Sequence, residues 1–390
     1  MPRRIYLDNA ATSWPKPPEV YAAVDHYLRD LGAPAGRSGY AEAAEVSQRV
    51  ETARRNTARL LGVRDTKCVI FTANGTDSLN LALHGLLREG DRVVTTNVEH
   101  NSVLRPLVAI GESLGVTTEI VRCDAHGIVD PDEVRAALRE KTRLVAISHA
   151  SNVTGALQPV AAVARLAHEA GALVLCDAAQ TAGHVPLDMG ALGVDLLATS
   201  GHKGLLGPLG IGVLALTTAV APALHSVRQG GTGTRSELAR QPDELPGKYE
   251  SGNLNVPGIL GLGAAVEYLS RRRPETVAEH GTALAERLLA GLRDLGGVRI
   301  IGPITAQQRV PLVSIVVEGY DPQEMALGLD AAYRIQVRAG LHCAPLMHEA
   351  MQTQTTGGTV RFSIGPFNTE ADIDAAIEAV TEMISAQASA

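Results

Sequence analysis

Aromatic side chains are scarce in this chain of 390 residues, with one Trp, three Phe and eight Tyr making up 3% of the total. Its interior must therefore be built from aliphatic groups and from the close approach that 39 glycines permit. Cysteine is scarcer still: Cys68, Cys123, Cys176 and Cys343 are scattered, and no two form a C-x-x-C pair. That pattern excludes a disulfide framework and points to a reducing compartment, the cytoplasm. Positive charge is not in excess either. Lys and Arg number 35 against 42 Asp and Glu, for a net charge of −7, which argues against nucleic acid as a partner. The N-terminal MPRRIYLDNAATSWPKP has no apolar segment behind its arginines, so a signal peptide is not expected. Residues 204–227 carry no Asp, Glu, Lys or Arg, but Gly204, Gly207, Pro208, Gly210 and Gly212 would break a membrane helix early. A glycine-rich turn followed by a buried strand, 211–216, fits better, and no membrane partner is expected.

What is present is length, with 45% hydrophobic content. A chain this long suggests about two to three domains and can bury a large core without metals or cross-links. From residue 17 to 216, helix-like stretches alternate with short apolar runs at 68–72, 92–96, 118–122, 143–148, 172–176, 196–199 and 211–216. Apolar runs of this kind suit a mostly parallel sheet sandwiched by helices, an α/β domain. Helices are expected at 18–31, 41–61, 76–88, 102–114, 131–140 and 160–170. Residues 226–258 lack periodicity, and such long loops are usually functional. A smaller α+β unit follows, with helices at 258–271, 275–295 and 369–386 and strands at 298–301, 312–317, 336–338 and 359–364.

In open α/β sheets, ligands bind beyond the carboxyl ends of the strands. The polar strand exits are therefore the first candidates: Gly75-Thr76, His100, Asn152, Asp177 with Gln180, and Ser200-Gly-His202-Lys203. Gly75-Thr76 at a helix start can cradle a phosphate, or Thr76 can simply cap the helix. Asp177 at the mouth of a buried strand needs a cation, or it is a structural helix cap. Lys203 is an ordinary surface lysine or a desolvated amine able to form a Schiff base. Taken together, a phosphate cradle, a ring, an acid and a lysine match the needs of pyridoxal phosphate (PLP).

The motifs SGHK, DAAQ and YLDNAAT resemble the class V branch of fold-type I PLP enzymes. Arg338-Ala-Gly-Leu-His-Cys343-Ala-Pro-Leu, Val360-Arg361-Phe-Ser and Tyr249-Glu-Ser-Gly-Asn-Leu-Asn-Val-Pro-Gly resemble the cysteine desulfurases, nearest the group whose reactive cysteine lies on a shorter loop. The resemblance runs from residue 5 to about 385. It implies a large PLP domain at 17–257 and a small domain assembled from 1–16 and 258–390. Lys203 would hold PLP, Asp177 would pair with the ring nitrogen, Gln180 would contact the phenolic oxygen, and His100 would stack on the ring and relay protons. Gly75, Thr76, Ser200 and His202 would bind phosphate, joined across a homodimer by the partner's Asn253 and Thr232. Asn152 would lie beside ring and substrate, and Arg361 would grip the carboxylate of L-cysteine.

Cys343 would be the nucleophile that takes the substrate sulfur as a persulfide and releases alanine. A mobile loop would carry it, and His342 would lower its pKa. Cys68 and Cys176, in apolar runs, read as buried packing residues. Three features depart from the family pattern: Tyr40 and Asn253 replace common His and Thr, and Asp77 replaces a hydroxyl. Tyr40 and Asp77 are assigned no role. A selenocysteine lyase, a C–S β-lyase and a non-catalytic PLP-binding accessory protein are the alternatives. The sulfur acceptor, such as a small protein serving iron–sulfur assembly, is not encoded in these motifs.

Overall fold

Seven strands form the central sheet, in the spatial order Val69–Thr72, Gly212–Leu216, Leu196–Ser200, Leu173–Asp177, Leu144–Ser148, Arg92–Thr96 and Thr117–Val121. The computed structural model describes residues 3–36, 39–235 and 237–388; Arg37 and Ser38, in the segment before Tyr40, lie outside them. Gly212–Leu216 runs antiparallel to both its neighbours, and the other pairings are parallel. The expected α/β architecture with a mostly parallel sheet is thus what the chain forms. The five inner strands, Gly212–Leu216 to Arg92–Thr96, are buried nearly throughout, because helices cover both faces.

Aliphatic packing replaces the missing rings. One core cluster joins Val145, Ile147, Val174 and Leu197 to Val46, Val50, Ile259 and Leu262 of the helices Ala41–Leu60 and Val256–Arg272. Gly263 lies where an added methyl would press on the Ala53 side chain at 2.7 Å, so these two helices cross with almost nothing between them. On the opposite face, Leu79, Leu83 and Leu86 of Gly75–Leu86 pack against Ile70, Leu196 and Leu214.

A four-stranded antiparallel sheet, ordered Arg338–Gly340, Thr359–Ser363, Leu312–Val317 and Val298–Ile301, carries the C-terminal part. Ile5–Tyr6 pairs in parallel with Ile335–Gln336, and Leu7 O accepts from Ser363 N at 2.7 Å. The N-terminal segment is thereby tied to the last third of the chain, which brings Asp8 beside Arg361. The long connection 226–258 is anchored by a buried ion pair. Arg54 Nη1 and Nη2 donate to Glu250 Oε1 and Oε2 at 2.8 and 2.9 Å, and Phe71 N donates to the same carboxylate at 2.7 Å. Removing one partner of such a pair leaves an uncompensated buried charge and costs about 3–5 kcal/mol. Among the described residues, no helix is long and apolar enough to cross a membrane. The uncharged stretch at 204–227 is a glycine-rich turn followed by Gly212–Leu216.

Candidate active site

The parallel strands end on one side of the sheet, and their exits converge on a cavity of about 420 Å³ of empty volume. Gly75, Thr76, His100, Asn152, Asp177, Gln180, Ser200 and Lys203 all line it. Residues from five strand exits meet there because each lies at the carboxyl end of its strand or within a few residues beyond it.

At one end the helix Gly75–Leu86 presents its N-terminus. Its cap is Asn74, whose Oδ1 accepts from Asp77 N at 2.9 Å, so Thr76 is not the cap, and its hydroxyl pairs with Ser102 Oγ at 2.8 Å in the cavity lining. Gly75 N donates to Ser200 Oγ at 3.2 Å, and a methyl group on Gly75 would meet that oxygen at 2.6 Å. Glycine is required for this approach, and the result is a cluster of N–H and O–H groups at a helix start, suited to an anion. Asp77 turns away, accepting from Ala73 N and from Arg228.

At the other end Asp177 is buried, with Oδ1 accepting from Ala179 N at 2.9 Å. Burial raises its pKa, while the Ala179 N–H and the Lys203 ammonium oppose that rise. The pKa of Lys203 falls to about 8, chiefly through desolvation; Asp177 resists the fall, and the positive charges of Arg361 and Arg338 assist it. Gln180 Nε2 donates to Ala10 O at 3.3 Å, a backbone group of the N-terminal segment.

Arg361 is 1% exposed. Its Nη1 donates to the carbonyl of Asn152 at 2.9 Å, its Nη2 to Asp8 Oδ1 at 3.1 Å, and its Nε has no partner. This buried N–H is a donor that a carboxylate could satisfy, although Arg361 does not itself line the cavity. The Asn152 side chain reaches the other way, with Nδ2 donating to His342 O at 2.5 Å.

Cys343 is exposed, while Cys68 and Cys176 are buried, as their apolar runs require. Its surroundings correct two expectations. The turn is not loose: Cys343 O accepts from Asn101 N at 2.8 Å, His342 O is held by Asn152, and the His342 ring is anchored on Thr359 at 2.9 Å. Both His342 (φ 48°) and Cys343 (φ 60°) sit in the left-handed region, where side chains crowd the backbone. Nor can His342 supply charge to the thiol, since burial holds its pKa well below the ordinary value and keeps it neutral. The cation at the sulfur is Arg338, whose Nη2 lies 4.0 Å from Sγ.

Other expected residues lie outside the cavity lining. His202 contributes its carbonyl, which accepts from Ser13 N, Thr12 Oγ1 and Lys16 Nζ, while its buried Nδ1 has no partner. Thr232 bonds within its own loop, to Thr234, and Asn253 is exposed on the same connection. Neither reaches the cavity of its own chain. Sequence reasoning gave no role to Ser102 and Ser148, which line the cavity, nor to Asp8 and Arg338, which pair with Arg361 and approach the Cys343 sulfur. A serine in the first turn of a helix is too common to stand out. Asp8 becomes informative only once the N-terminus is seen to lie beside Arg361.

The family pattern described as aminotransferase class-V matches residues 5–376. The chain belongs to the class-V aminotransferase family. Among the relatives of this class-V protein, a probable cysteine desulfurase of Methanothermobacter thermautotrophicus is 36% identical over 97% of this chain and 94% of its own. Another probable cysteine desulfurase, of Halalkalibacterium halodurans, is 37% identical over 95% and 91%. The solved apo structure of a cysteine desulfurase from Thermococcus onnurineus NA1 superposes with a TM-score of 0.92 at 31% identity, covering 98% of this chain and 95% of that one.

Proposed function

We propose that this protein is a PLP-dependent cysteine desulfurase that converts L-cysteine to L-alanine and holds the sulfur as a persulfide on Cys343. One observation carries the reading: the cavity that gathers Gly75, Thr76, Asp177, Ser200 and Lys203 shares its Asn152 with the turn presenting an exposed Cys343. A buried helix start, a buried acid and a desolvated lysine in one cavity fit the phosphate, ring nitrogen and aldehyde of pyridoxal phosphate. Gly75, Thr76 and Ser200 would take the phosphate, Asp177 the ring nitrogen, Gln180 the phenolic oxygen, and His100 would cover the ring. When bound, the cofactor supplies a sink for the electron pair left on the substrate Cα.

The protein's own groups do the rest. Arg361, aimed by Asp8 and the Asn152 carbonyl, takes the substrate carboxylate on its vacant edge. Lys203, with its pKa near 8, spends a useful fraction of time as a neutral amine at physiological pH and can receive the Cα proton. Cys343 Sγ forms an S–S bond to the substrate sulfur as the Cβ–S bond breaks with its electron pair left on carbon, and a proton completes the methyl group of alanine. No outside oxidant or reductant is needed. A selenocysteine lyase or C–S β-lyase would use the same cavity, but the exposed thiol beside Arg338 favours sulfur transfer to the protein.

The likeness to the short-loop desulfurases also supports a cytoplasmic homodimer, in which Asn253, Thr232 and His202 complete the phosphate site, and a small acceptor protein for the sulfur. The division into units 17–257 and 1–16 with 258–390 is likewise proposed. Its seam is Val256–Arg272, whose apolar face packs into the first unit. The deciding experiment is to add L-cysteine to the PLP-loaded protein and trap the labelled persulfide by mass spectrometry. The peptide containing Cys343 should gain one sulfur; sulfide release with no modified Cys343 would favour the lyase reading.

A further inference from the structure

His100 is the N-cap of the helix Asn101–Leu114, and this unusual use of a ring fixes where its proton can be. Ser102 N donates to His100 Nδ1 at 3.0 Å, and Ser102 Oγ lies 2.9 Å from the same nitrogen. The Ser102 hydroxyl is also 2.8 Å from Thr76 Oγ1, so a continuous chain runs from the helix start to the ring. A backbone N–H can only donate. Nδ1 must therefore keep its lone pair, which puts the single proton of a neutral imidazole on Nε2.

That tautomer has a chemical consequence. Nε2–H has no in-plane lone pair, so a second proton could enter only at Nδ1, where it would face the Ser102 N–H head-on. The amide cannot turn aside. Val103 N and Leu104 N both donate to His100 O, and Asn101 N is held by Cys343 O, so the whole turn is fixed. Four cations lower its pKa, Lys203, Arg338, Arg361 and Arg105, and the Asp177 carboxylate lines the same cavity. With burial as the larger cause, the four cations push it down to about 4.

We infer that Ser102 and its helix turn lock His100 as a neutral Nε2–H ring, a hydrogen-bond donor within the cavity that takes up no proton during turnover. Proton movement then falls to Lys203, the amine in the same cavity, with Asp177 the remaining titratable group of the lining. In this account Ser102 is a positioning residue that acts through His100 and ties its ring to the Thr76 hydroxyl. The inference rests on the assignment of this cavity as the active site, but the geometry it draws on is that of the protein alone.

The test is ¹⁵N NMR of imidazole-labelled full-length protein, with and without pyridoxal phosphate, between about pH 5.5 and about pH 9. The His100 signals are identified by their loss in His100→Gln. Independently, they are identified by their shift in Ser102→Ala, which keeps the backbone N–H and removes the hydroxyl. The expected result is the Nε2–H pattern in both forms, unchanged across the range. An Nδ1–H pattern, or a titration to imidazolium within it, overturns the inference. Because no turnover is needed, this readout stands whether or not the protein desulfurates cysteine. In the loaded enzyme, His100→Gln should lower kcat/KM about tenfold, the scale of one lost hydrogen bond, and keep both limbs of the pH profile. Loss of a limb would mean that His100 accepts a proton.

Discussion

Arg361 Nη2 donates to Asp8 Oδ1 at 3.1 Å, joining residues from opposite ends of the chain in an ion pair whose guanidinium is buried. Burial raises the Asp8 pKa while the guanidinium opposes that rise, so the pair is mutually dependent. With Nη1 on the Asn152 carbonyl and Nε without a partner, Asp8 would fix which edge of Arg361 meets the carboxylate in the proposed reaction. Asp8→Ala should raise KM for L-cysteine by about 10- to 100-fold, the scale of a charge-assisted hydrogen bond, with a smaller change in kcat. Asp8→Asn, which keeps an acceptor oxygen, should recover part of that loss. Steady-state kinetics of the three proteins check this, and equal KM values would remove Asp8 from the substrate site.

Cys343 carries its side chain at a backbone angle that costs a residue with a Cβ about 1–2 kcal/mol. Cys343→Ala and Cys343→Gly should both abolish persulfide formation while keeping the visible absorbance of bound cofactor. Only the glycine variant relieves the strain. After the entropic cost of glycine it should be more stable than the alanine variant by up to about 1 kcal/mol. Thermal melts of the two, loaded and unloaded, make the comparison; a less stable glycine variant would mean that the turn is not strained.

Much of the sheet was legible because its strands are short apolar runs. Arg92–Thr96, Val298–Ile301 and Leu312–Val317 fall where the runs lie. The helix Pro322–Tyr333 was not anticipated, although Asp321 caps it and Pro322 opens it, because Gly328 and the exposed Leu327 blur its periodicity. The expected strand at 336–338 is two strands, Ile335–Gln336 and Arg338–Gly340, in different sheets. No local pattern reports that kind of switch. In the site, polar residues at strand exits were legible from position alone. The turn at Cys343 was not, since its rigidity depends on Asn101 and Asn152, far away in sequence.

Lys203 should show its depressed pKa in how it captures cofactor. Only the neutral amine attacks an aldehyde, so the capture rate of the apo protein should rise with pH and level off near pH 8, where the group titrates. An unperturbed lysine would keep rising to about pH 10.4. Asp177 pulls the Lys203 pKa upward, so Asp177→Asn should move the plateau to lower pH. Rapid-mixing absorbance measurements with pyridoxal phosphate decide it, and a rate still climbing near pH 10 would refute the desolvated amine.

Glu99 extends the same electrostatics below the cavity. It is fully buried; its Oε1 accepts from Thr96 Oγ1 and Ser148 N at 2.7 and 3.0 Å, and its Oε2 from Ser148 Oγ at 2.7 Å. Desolvation is the chief cause raising its pKa to about 7, and the nearby Asp177 adds to it. Between its unfolded value of 4.5 and about 7 the folded protein holds a proton that the unfolded chain has released. This group's contribution to stability is therefore full below pH 4.5 and is lost as pH rises through about 7. Glu99→Gln keeps the shape, and Ser148 can turn its hydroxyl to accept from the new amide. The variant should consequently gain on the parent as pH rises, with the difference in melting temperature growing between pH 4.5 and 7 and flat above about pH 8. A difference independent of pH would show that Glu99 is ionised throughout, held by its three hydrogen bonds against the cost of burial.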